Sequence, residues 1–388
     1  MSRLPEYVGP VAIGLKMGVI LPGMQIIDKV FDRLVDCCRD DLLEDGDIIA
    51  ITESVVARAQ NNYVTTADIA REVKNRLRLP DKGRVAVVFP IASRNRFAMI
   101  LQGIAEAVPG GEVVVQFSFP CDEVGNQVVS ADFCKDLNRD LISAGDLEGS
   151  DFKHPITGVN YIRLYREIIE AAGARPVIYL CNDPARVVEY EPDGVIAANI
   201  HNRAKTRQAI KKMFDNCVSL DELCTTGEAS SEWGLLGSNM SACGKLKLAP
   251  RDGERLVREL QRRLKEELGV SAEVLIYGDG AYRDPTTGIY ELADPKTAFA
   301  ATDGLNAFRE GIKLKYLADL YYYEHGKCAS EIEQILAEEK MRSSSADSMI
   351  KEGTTPRRLE DVLASLADLV SGSADAGTPV VLIKGFLS

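Results

Sequence analysis

The 388-residue sequence predicts an α+β fold of mixed sheets with flanking helices. Residues 254–268 carry leucine at every fourth position, which indicates a helix with one buried stripe, and the apolar run 274–277 follows as a buried strand. In the amino-terminal third, strand-like runs alternate with helical runs. Several of the expected strand pairs are not joined by strand–helix–strand units, which favours α+β over a plain doubly wound sheet.

The elements of the amino-terminal third follow from periodicity and from Pro/Gly breakers. Strands are predicted at 11–13, 48–51, 85–89 and 113–117, and helices at 25–37, 66–77 and 94–108. Beyond residue 130 the character changes: a glycine-containing loop leads to a helix at 160–172, a strand at 177–180 and a basic helical region at 196–214. We interpret 130–230 as an inserted α/β subdomain between an N-terminal part, 1–129, and a C-terminal part, 231–388.

The C-terminal part contains the helix 254–268, which Gly269 is expected to end, and the strand 274–277. A further helical region is predicted at 316–339 and a last helix at 358–370. After a loop of small residues, the strand 379–385 closes the chain.

Composition and charge restrict the possible partners. Apolar residues make up 46% and charged residues 27%, as in an ordinary globular protein, and the net charge of −12 argues against a nucleic-acid partner. The first ten residues lack a signal pattern and no apolar run approaches a membrane span, so we expect a cytoplasmic protein without a membrane partner. Nine cysteines without a Cys-x-x-Cys pair and three dispersed histidines favour free thiols over a zinc site or a Ser-His-Asp triad.

Two strand ends carry candidate ligand-binding groups. Asp279 lies between two glycines directly after the strand 274–277, where a carboxylate can hold a cation beside a phosphate. Glu53, Ser54 and Arg58 lie at a strand-to-helix junction, a common anion-binding place. The alternatives are an ordinary Asp-Gly turn and a surface arginine.

Two loops carry weaker signals. The small-residue loop 371–378 can expose successive backbone N–H groups to an anion, or it is a plain connector. Asp122 and Glu123 form an acidic patch just past a strand and are a second candidate metal site, although a polar turn explains them nearly as well.

Three blocks of the sequence resemble the γ-glutamyl ligases of the deazaflavin coenzyme F-420, which join glutamate to a phospholactate tail with GTP. The first block runs from Glu44-Asp45-Gly46-Asp47 to Gln60, and the second from Ser238-Asn239 through Lys245-Leu246-Lys247-Leu248-Ala249-Pro250 to Arg283. The third is the closing helix, glycine loop and strand, from Leu359 to Gly385. Together they cover about half of the chain, and their order is more specific than any single block.

The resemblance implies a set of nucleotide- and metal-binding residues. Asp279 corresponds to a metal-binding aspartate and Asn239 to a nucleotide-contacting asparagine. The other nucleotide contacts implied are Gly14, Leu15, Lys16 and Met17; Glu53, Ser54 and Arg58; and, around the phosphates and a second metal, Gly372, Ser373, Ala374, Asp375, Gly377 and Thr378. The family pattern further implies a homodimer with the nucleotide site near the subunit contact.

The sequence departs from the family pattern at several ligand positions. Gly280 stands where threonine is expected, Ala281-Tyr282 replaces Phe-Gly before Arg283, and Ser373 replaces a longer oxygen ligand. Leu236 stands where a metal-binding aspartate is expected, and Asp122 or Glu123 is a candidate replacement.

Together with the candidate residues, the resemblance implies a ligase that uses Mg²⁺ or Mn²⁺ and GTP to activate a small carboxylate as an acyl phosphate, which an amine then attacks. Arg283, Arg58 and Lys16 are the candidate cationic groups on the phosphates. The alternative is a nucleotide-binding homologue that has lost catalysis and acts through association. A dehydrogenase-like enzyme is disfavoured, because no Gly-x-Gly-x-x-Gly opens a helix after a strand.

Overall fold

The fold is α+β, as predicted. A computed structural model describes residues 5, 7–137, 140–147, 151–280, 282–283, 290–291, 293–340, 351–371 and 377–387. Its strands are β1 Val11–Leu15, β2 Ile48–Thr52, β3 Tyr63–Thr65, β4 Arg84–Val88, β5 Glu112–Phe117, β6 Leu141–Ile142, β7 Arg175–Cys181, β8 Gly194–Ala197, β9 Cys217–Ser219, β10 Asn239–Ser241, β11 Lys245–Lys247, β12 Glu273–Tyr277, β13 Tyr282–Arg283, β14 Tyr290–Glu291, β15 Ala298–Ala301, β16 Phe308–Ile312, β17 Lys351–Arg358 and β18 Val380–Lys384.

Most helices agree with the predicted periodicity, but the predicted helix 94–108 spans only Ala98–Glu106, and the predicted helical region 316–339 is divided into two helices. The helices are α1 Ile26–Arg39, α2 Glu53–Ala59, α3 Thr66–Leu77, α4 Ala98–Glu106, α5 Ala131–Leu137, α6 Ala144–Leu147, α7 Tyr161–Ala171, α8 Arg203–Lys211, α9 Gly253–Arg263, α10 Leu314–Tyr323, α11 Ala329–Lys340 and α12 Leu359–Ser371. A π-helical turn, Leu264–Leu268, extends α9, and Gly269 ends it at a φ of +74°, a conformation that glycine adopts without strain.

A mixed five-stranded sheet joins the two ends of the chain. Its order is β1-β18-β2-β12-β15; β2 and β12 are parallel, and the other pairs are antiparallel. Alternate residues of each strand point to opposite faces. One face, with Ile49 and Leu382, packs against α1 and α9, and the other, with Ile48 and Ile383, packs against α12.

A second, six-stranded sheet has the order β6-β7-β5-β4-β8-β9 and is parallel except at β6. Residues of α3, α4 and α7 cover one face, and residues of α8 cover the other. We call this sheet and its helices the α/β unit. Because β5 pairs with both β4 and β7, the predicted boundary at 129–130 falls inside this sheet and does not separate two sheets.

Another predicted helix begins too early. Residues 196–214 were expected to be helical, but Ile196 lies in the buried strand β8 and the helix α8 begins only at Arg203. A short, fully buried strand and the start of a buried helix share the same apolar pattern, so periodicity cannot separate them.

The described residues also bear on membrane spans and on the state of the cysteines. None of the described helices combines the length and the apolar composition needed to cross a bilayer. The eight cysteines whose side chains are described carry free thiols, as predicted.

Candidate functional site

A cleft of about 590 Å³ opens at one edge of the five-stranded sheet. The parallel strands β2 and β12 end there, with Thr52 opposite Tyr277. The antiparallel neighbours place the start of β18 and the end of β1 at the same edge, since Val380 is paired with both Ile51 and Leu15. The sheet topology therefore brings four distant chain segments to one ligand-binding edge.

Seven of the predicted site residues line this cleft: Glu53, Ser54, Arg58, Asn239, Asp279, Gly377 and Thr378. In the turn after β1, residues 18–20 line the cleft, whereas the predicted residues 14–17 do not. Leu15 and Met17 are buried in the core beside α1, and Lys16 is exposed. The predicted loop residues Gly372, Ser373, Ala374 and Asp375 and the side chain of Arg283 lie outside the described residues.

Glu53, the first residue of α2, forms a buried ion pair with Lys247 of β11. The Lys247 Nζ lies 2.8 Å from Oε1 and 2.7 Å from Oε2 of Glu53, and the two residues are 7% and 5% exposed. Burial raises the pKa of Glu53, and the charge of Lys247 opposes that rise. The Glu53 carboxylate, which lines the cleft, is therefore held in place by Lys247.

Asp279 shares Arg96 with a second carboxylate, Asp294. Arg96 lies in the β4–α4 connection of the α/β unit; its Nη2 donates to Asp279, and its Nη1 lies 2.8 Å from Oδ1 of Asp294. The Asp279 amide donates to the other oxygen of Asp294 at 2.8 Å, and the Gly280 amide donates to Asp368 at 2.7 Å.

The electrostatics at Asp279 are dominated by burial and by neighbouring negative charge. Burial, then Asp294, raise the pKa of Asp279 to about 7, against the opposing charge of Arg96; Glu53 and Asp368 also raise it. Asp294, Glu53 and Asp368 thus act on Asp279, and in the described part of the chain Arg96 and Lys247 form salt bridges with carboxylates of this group.

The donor set at Asp279 fits a divalent cation that is only partly coordinated by protein. Among the described residues, no three His, Cys, Asp or Glu side chains form a metal cluster. Mg²⁺ is, however, commonly bound through one or two carboxylates together with substrate phosphates and water. The Asp279 side chain, 39% exposed at the cleft, is suited to that role, whereas Asp294 is 1% exposed behind Arg96.

Asp122 and Glu123 do not line the cleft. The Asp122 carboxylate accepts hydrogen bonds from the amides of Ala92, Val124 and Asn126 at 2.7–3.0 Å, and burial raises its pKa to about 6. Glu123 accepts from the amides of residues 200–202 at 2.5–3.0 Å, just before α8. Both carboxylates therefore anchor loops of the α/β unit, as the polar-turn alternative anticipates, and we leave them out of the proposed metal site.

The segment just before β18 presents a buried hydroxyl to the cleft. Thr378 lines the cleft, and its buried Oγ1 has no hydrogen-bond partner among the described residues. A Cβ on Gly14 would lie 2.8 Å from this oxygen, so only glycine fits there. Buried polar groups are almost always paired in native proteins, and a cleft ligand or a water is the partner this hydroxyl lacks.

Sequence reasoning missed several charged residues around the cleft: Arg96, Lys247, Asp294 and Asp368. Asp368 carried a signal, because it is a charged residue on the buried face of α12, which also presents Ala364 and Ala367. Arg96 carried none, since it is separated from Asp279 by 183 positions and from Asp294 by 198.

One comparison with known proteins identifies the family. The model of a family described as F420-0:Gamma-glutamyl ligase matches residues 14–385. A search of curated proteins returned no match. The family match includes every strand of the five-stranded sheet at least in part, and every residue that lines the cleft. The chain therefore belongs to the F420-0:gamma-glutamyl ligase family.

Proposed function

We propose that the protein is a GTP- and divalent-metal-dependent ligase that forms a γ-glutamyl-type amide on a small carboxylate substrate. The observation that carries the proposal is the cleft itself. In a chain matched to this family, it gathers Glu53, Ser54, Arg58, Asn239, Asp279 and Gly377 from distant segments. A cleft of about 590 Å³ lies within the range of small-molecule sites.

In this proposal the nucleotide lies along the edge formed by β1, β18 and β2. Ser54, Asn239 and Thr378 supply hydrogen-bonding groups, and Arg58 supplies a cation that is not held in a described salt bridge. Lys16 and Arg283 are the further cationic groups proposed for the phosphates. Their role is positioning and charge neutralisation, which dominate catalysis of phosphoryl transfer.

Asp279 is the proposed ligand of Mg²⁺ or Mn²⁺, together with the phosphates and with the loop that includes Ser373 and Asp375. A divalent cation bound there would neutralise charge on the transferred phosphate. Glu53 is held by Lys247 and is proposed to shape the site, because both of its oxygens already accept from the lysine.

The proposed reaction has two steps. An oxygen of the substrate carboxylate attacks the γ-phosphorus of GTP, the bond to the β-phosphate oxygen breaks, and GDP leaves. The amine nitrogen of glutamate then attacks the acyl carbon, inorganic phosphate leaves with the bonding electrons, and the amine loses a proton. A cleft that excludes water would protect the acyl phosphate from hydrolysis.

A nucleotide-binding homologue without catalysis is the alternative. Leu236, which stands at an expected ligand position, is 3% exposed in the core of the α/β unit, and Gly280 has no side chain to bind a metal. Both substitutions reduce the number of protein ligands available to a metal, and this loss motivates the alternative.

Isothermal titration separates these proposals. We expect GTP to bind with micromolar affinity in the presence of Mn²⁺, and Asp279→Ala to abolish this metal-dependent binding. Phosphate release with glutamate and a panel of small carboxylic acids then tests catalysis. Binding without release across the panel favours the silent homologue, and the absence of any nucleotide binding contradicts both proposals.

A further inference from the structure

Arg96 links the α/β unit to the proposed metal ligand. Its guanidinium lies between Asp279 and Asp294, although the arginine belongs to the β4–α4 connection of the other sheet. The Arg96 side chain is 14% exposed and Asp294 is 1% exposed, so the contact with Asp294 is largely shielded from solvent, whereas Asp279 is 39% exposed toward the cleft. An ion pair in such a setting is screened far less than one at the surface.

The segment that carries Arg96 is fixed by its own contacts. The Arg96 amide donates to Ser93 Oγ at 3.2 Å, and the Ser93 amide donates to the Tyr165 hydroxyl at 3.1 Å. The carbonyl of Asn95 accepts from the amide of Met240, at 2.6 Å, in the strand β10 that also contains the cleft residue Asn239. The position of the guanidinium is therefore set by the fold and is not a chance contact of a long surface side chain.

A guanidinium and a divalent cation compete for the same carboxylate. Arg96 donates to Oδ2 of Asp279, and a metal ion at this oxygen would face a positive charge at hydrogen-bond distance. Arg96 has a second anchor, since its other terminal nitrogen pairs with Asp294. The guanidinium can thus leave Asp279 and keep Asp294.

We propose that Arg96 is an internal counter-ion of Asp279 that a divalent cation must displace, so that it lowers the metal affinity of the ligand-free protein. This inference rests on the proposed function, because it takes Asp279 as the metal ligand. Since Arg96 belongs to the α/β unit, metal binding is then coupled to the β4–α4 connection and, through Asn95, to the strand that presents Asn239.

Mn²⁺ binding to the ligand-free protein, followed by electron paramagnetic resonance at pH 8.5, tests this inference. Arg96→Gln removes the charge but keeps a hydrogen-bond donor, and we expect it to bind Mn²⁺ about tenfold more tightly, a change typical of coupled sites. Arg96→Lys keeps the charge and should bind as weakly as the wild type. Arg94→Gln, at an exposed arginine two positions away, is the matched control and should leave the affinity unchanged.

Adding Asp279→Asn to Arg96→Gln identifies the site, because the gain in affinity should disappear. If the wild type and Arg96→Gln bind Mn²⁺ equally, and both lose it with Asp279→Asn, the counter-ion inference is wrong while the proposed function stands. If neither binds Mn²⁺ with or without GTP, the metal in the proposed function fails, and the inference fails with it.

A measurement on the wild type avoids dependence on the folding of variants. Phenylglyoxal modifies accessible arginines, and mass spectrometry of peptides reports each site. We expect millimolar Mn²⁺ to raise the modification rate of Arg96 severalfold and to leave that of Arg94 unchanged. An unchanged rate at Arg96 under Mn²⁺ concentrations that fill the Asp279 site would overturn the inference.

Discussion

Glu53 lines the cleft, and its ion pair with Lys247 is almost completely buried. Lys247→Met removes the cation that contacts both oxygens of Glu53 and leaves a buried carboxylate without this partner. Breaking one half of a buried pair typically costs about 3–5 kcal/mol, and we expect a loss of stability in that range. Urea denaturation of the wild type and the variant measures this difference in the free energy of unfolding.

The double variant Glu53→Gln with Lys247→Met is the control for this effect. It removes both charges, so we expect it to recover most of the stability lost in the single variant. A single variant that loses less than about 1 kcal/mol, the range of exposed pairs, would mean that solvent reaches Glu53.

Asp122 tests whether an acidic patch has a structural or a metal-binding role. Its carboxylate accepts from three backbone amides and from the side chain of Asn126. Asp122→Ala leaves these buried donors without an acceptor, and we expect a loss of about 2–3 kcal/mol in the free energy of unfolding. Mn²⁺ affinity, measured on the same preparation, should be unchanged. A stable variant that no longer binds Mn²⁺ would restore Asp122 as a metal ligand.

The raised pKa of Asp279 makes the stability of the ligand-free protein depend on pH. Its pKa rises from 3.8 to about 7, first through burial and then through Asp294. Between these values the folded state holds a proton that the unfolded state releases, so the contribution of Asp279 to stability falls as pH rises. We expect the Tm of the wild type to fall more between pH 5 and pH 8 than that of Asp279→Asn, a comparison made by calorimetry. Equal slopes would contradict the raised pKa.

At the scale of elements, β18 is an interior strand that we expect to contribute strongly to the stability of the five-stranded sheet. It lies between β1 and β2, and its five residues are all buried. Leu382→Ala opens a cavity in the core beneath α1 and α9, and we expect it to cost about 2–5 kcal/mol. Leu387→Ala, at a residue that is 39% exposed, should change stability by less than about 0.5 kcal/mol. Chemical denaturation compares the free energies of unfolding of the two variants, and similar losses would contradict a strong contribution of β18 to stability.

Local patterns predicted the elements well where they were long or clearly bounded. The helix 66–77 was predicted at its observed bounds, because its apolar positions repeat with helical periodicity. In the structure Thr65 caps its start, and Arg78 ends it in a left-handed conformation. The start of α8 was misplaced, because Val195 and Ile196 fit a strand and a helix equally well. Short apolar runs obtain their conformation from the sheet that receives them.

At the scale of the whole molecule, the distribution of strands between the two sheets could not be predicted. The pairings of β5 with β4 and β7 bring together residues 112–117, 84–88 and 175–181, and no local pattern encodes them. The same holds for the site. Their positions at strand ends, together with the resemblance, indicated Glu53 and Asp279, and the resemblance indicated Asn239. Arg96 and Lys247 reach Asp279 and Glu53 only through the packing of the α/β unit and β11 on the five-stranded sheet.

Trp233, the sole tryptophan of the sequence, joins the cores of the two sheets. It packs against the core of the α/β unit and against the core formed with α1 and α9. In the second core, the centroid of its ring lies 5.9 Å from that of Phe299. A side chain that contacts both cores couples their unfolding, because neither can open without exposing it. In urea, the transitions followed by tryptophan fluorescence and by far-ultraviolet circular dichroism should therefore coincide for the wild type.

Removing the ring should weaken this coupling. We expect Trp233→Ala to lower stability by about 2–3 kcal/mol, less than for a fully buried tryptophan, and to broaden the circular-dichroism transition or divide it in two. Trp233→Phe keeps an aromatic ring at the junction and should retain one steep transition. If Trp233→Ala also unfolds in one steep step, the cores are coupled through other contacts, of which the ion pairs of Arg96 with Asp279 and Asp294 are the first to test. Combining Trp233→Ala with Arg96→Gln should then separate the two transitions.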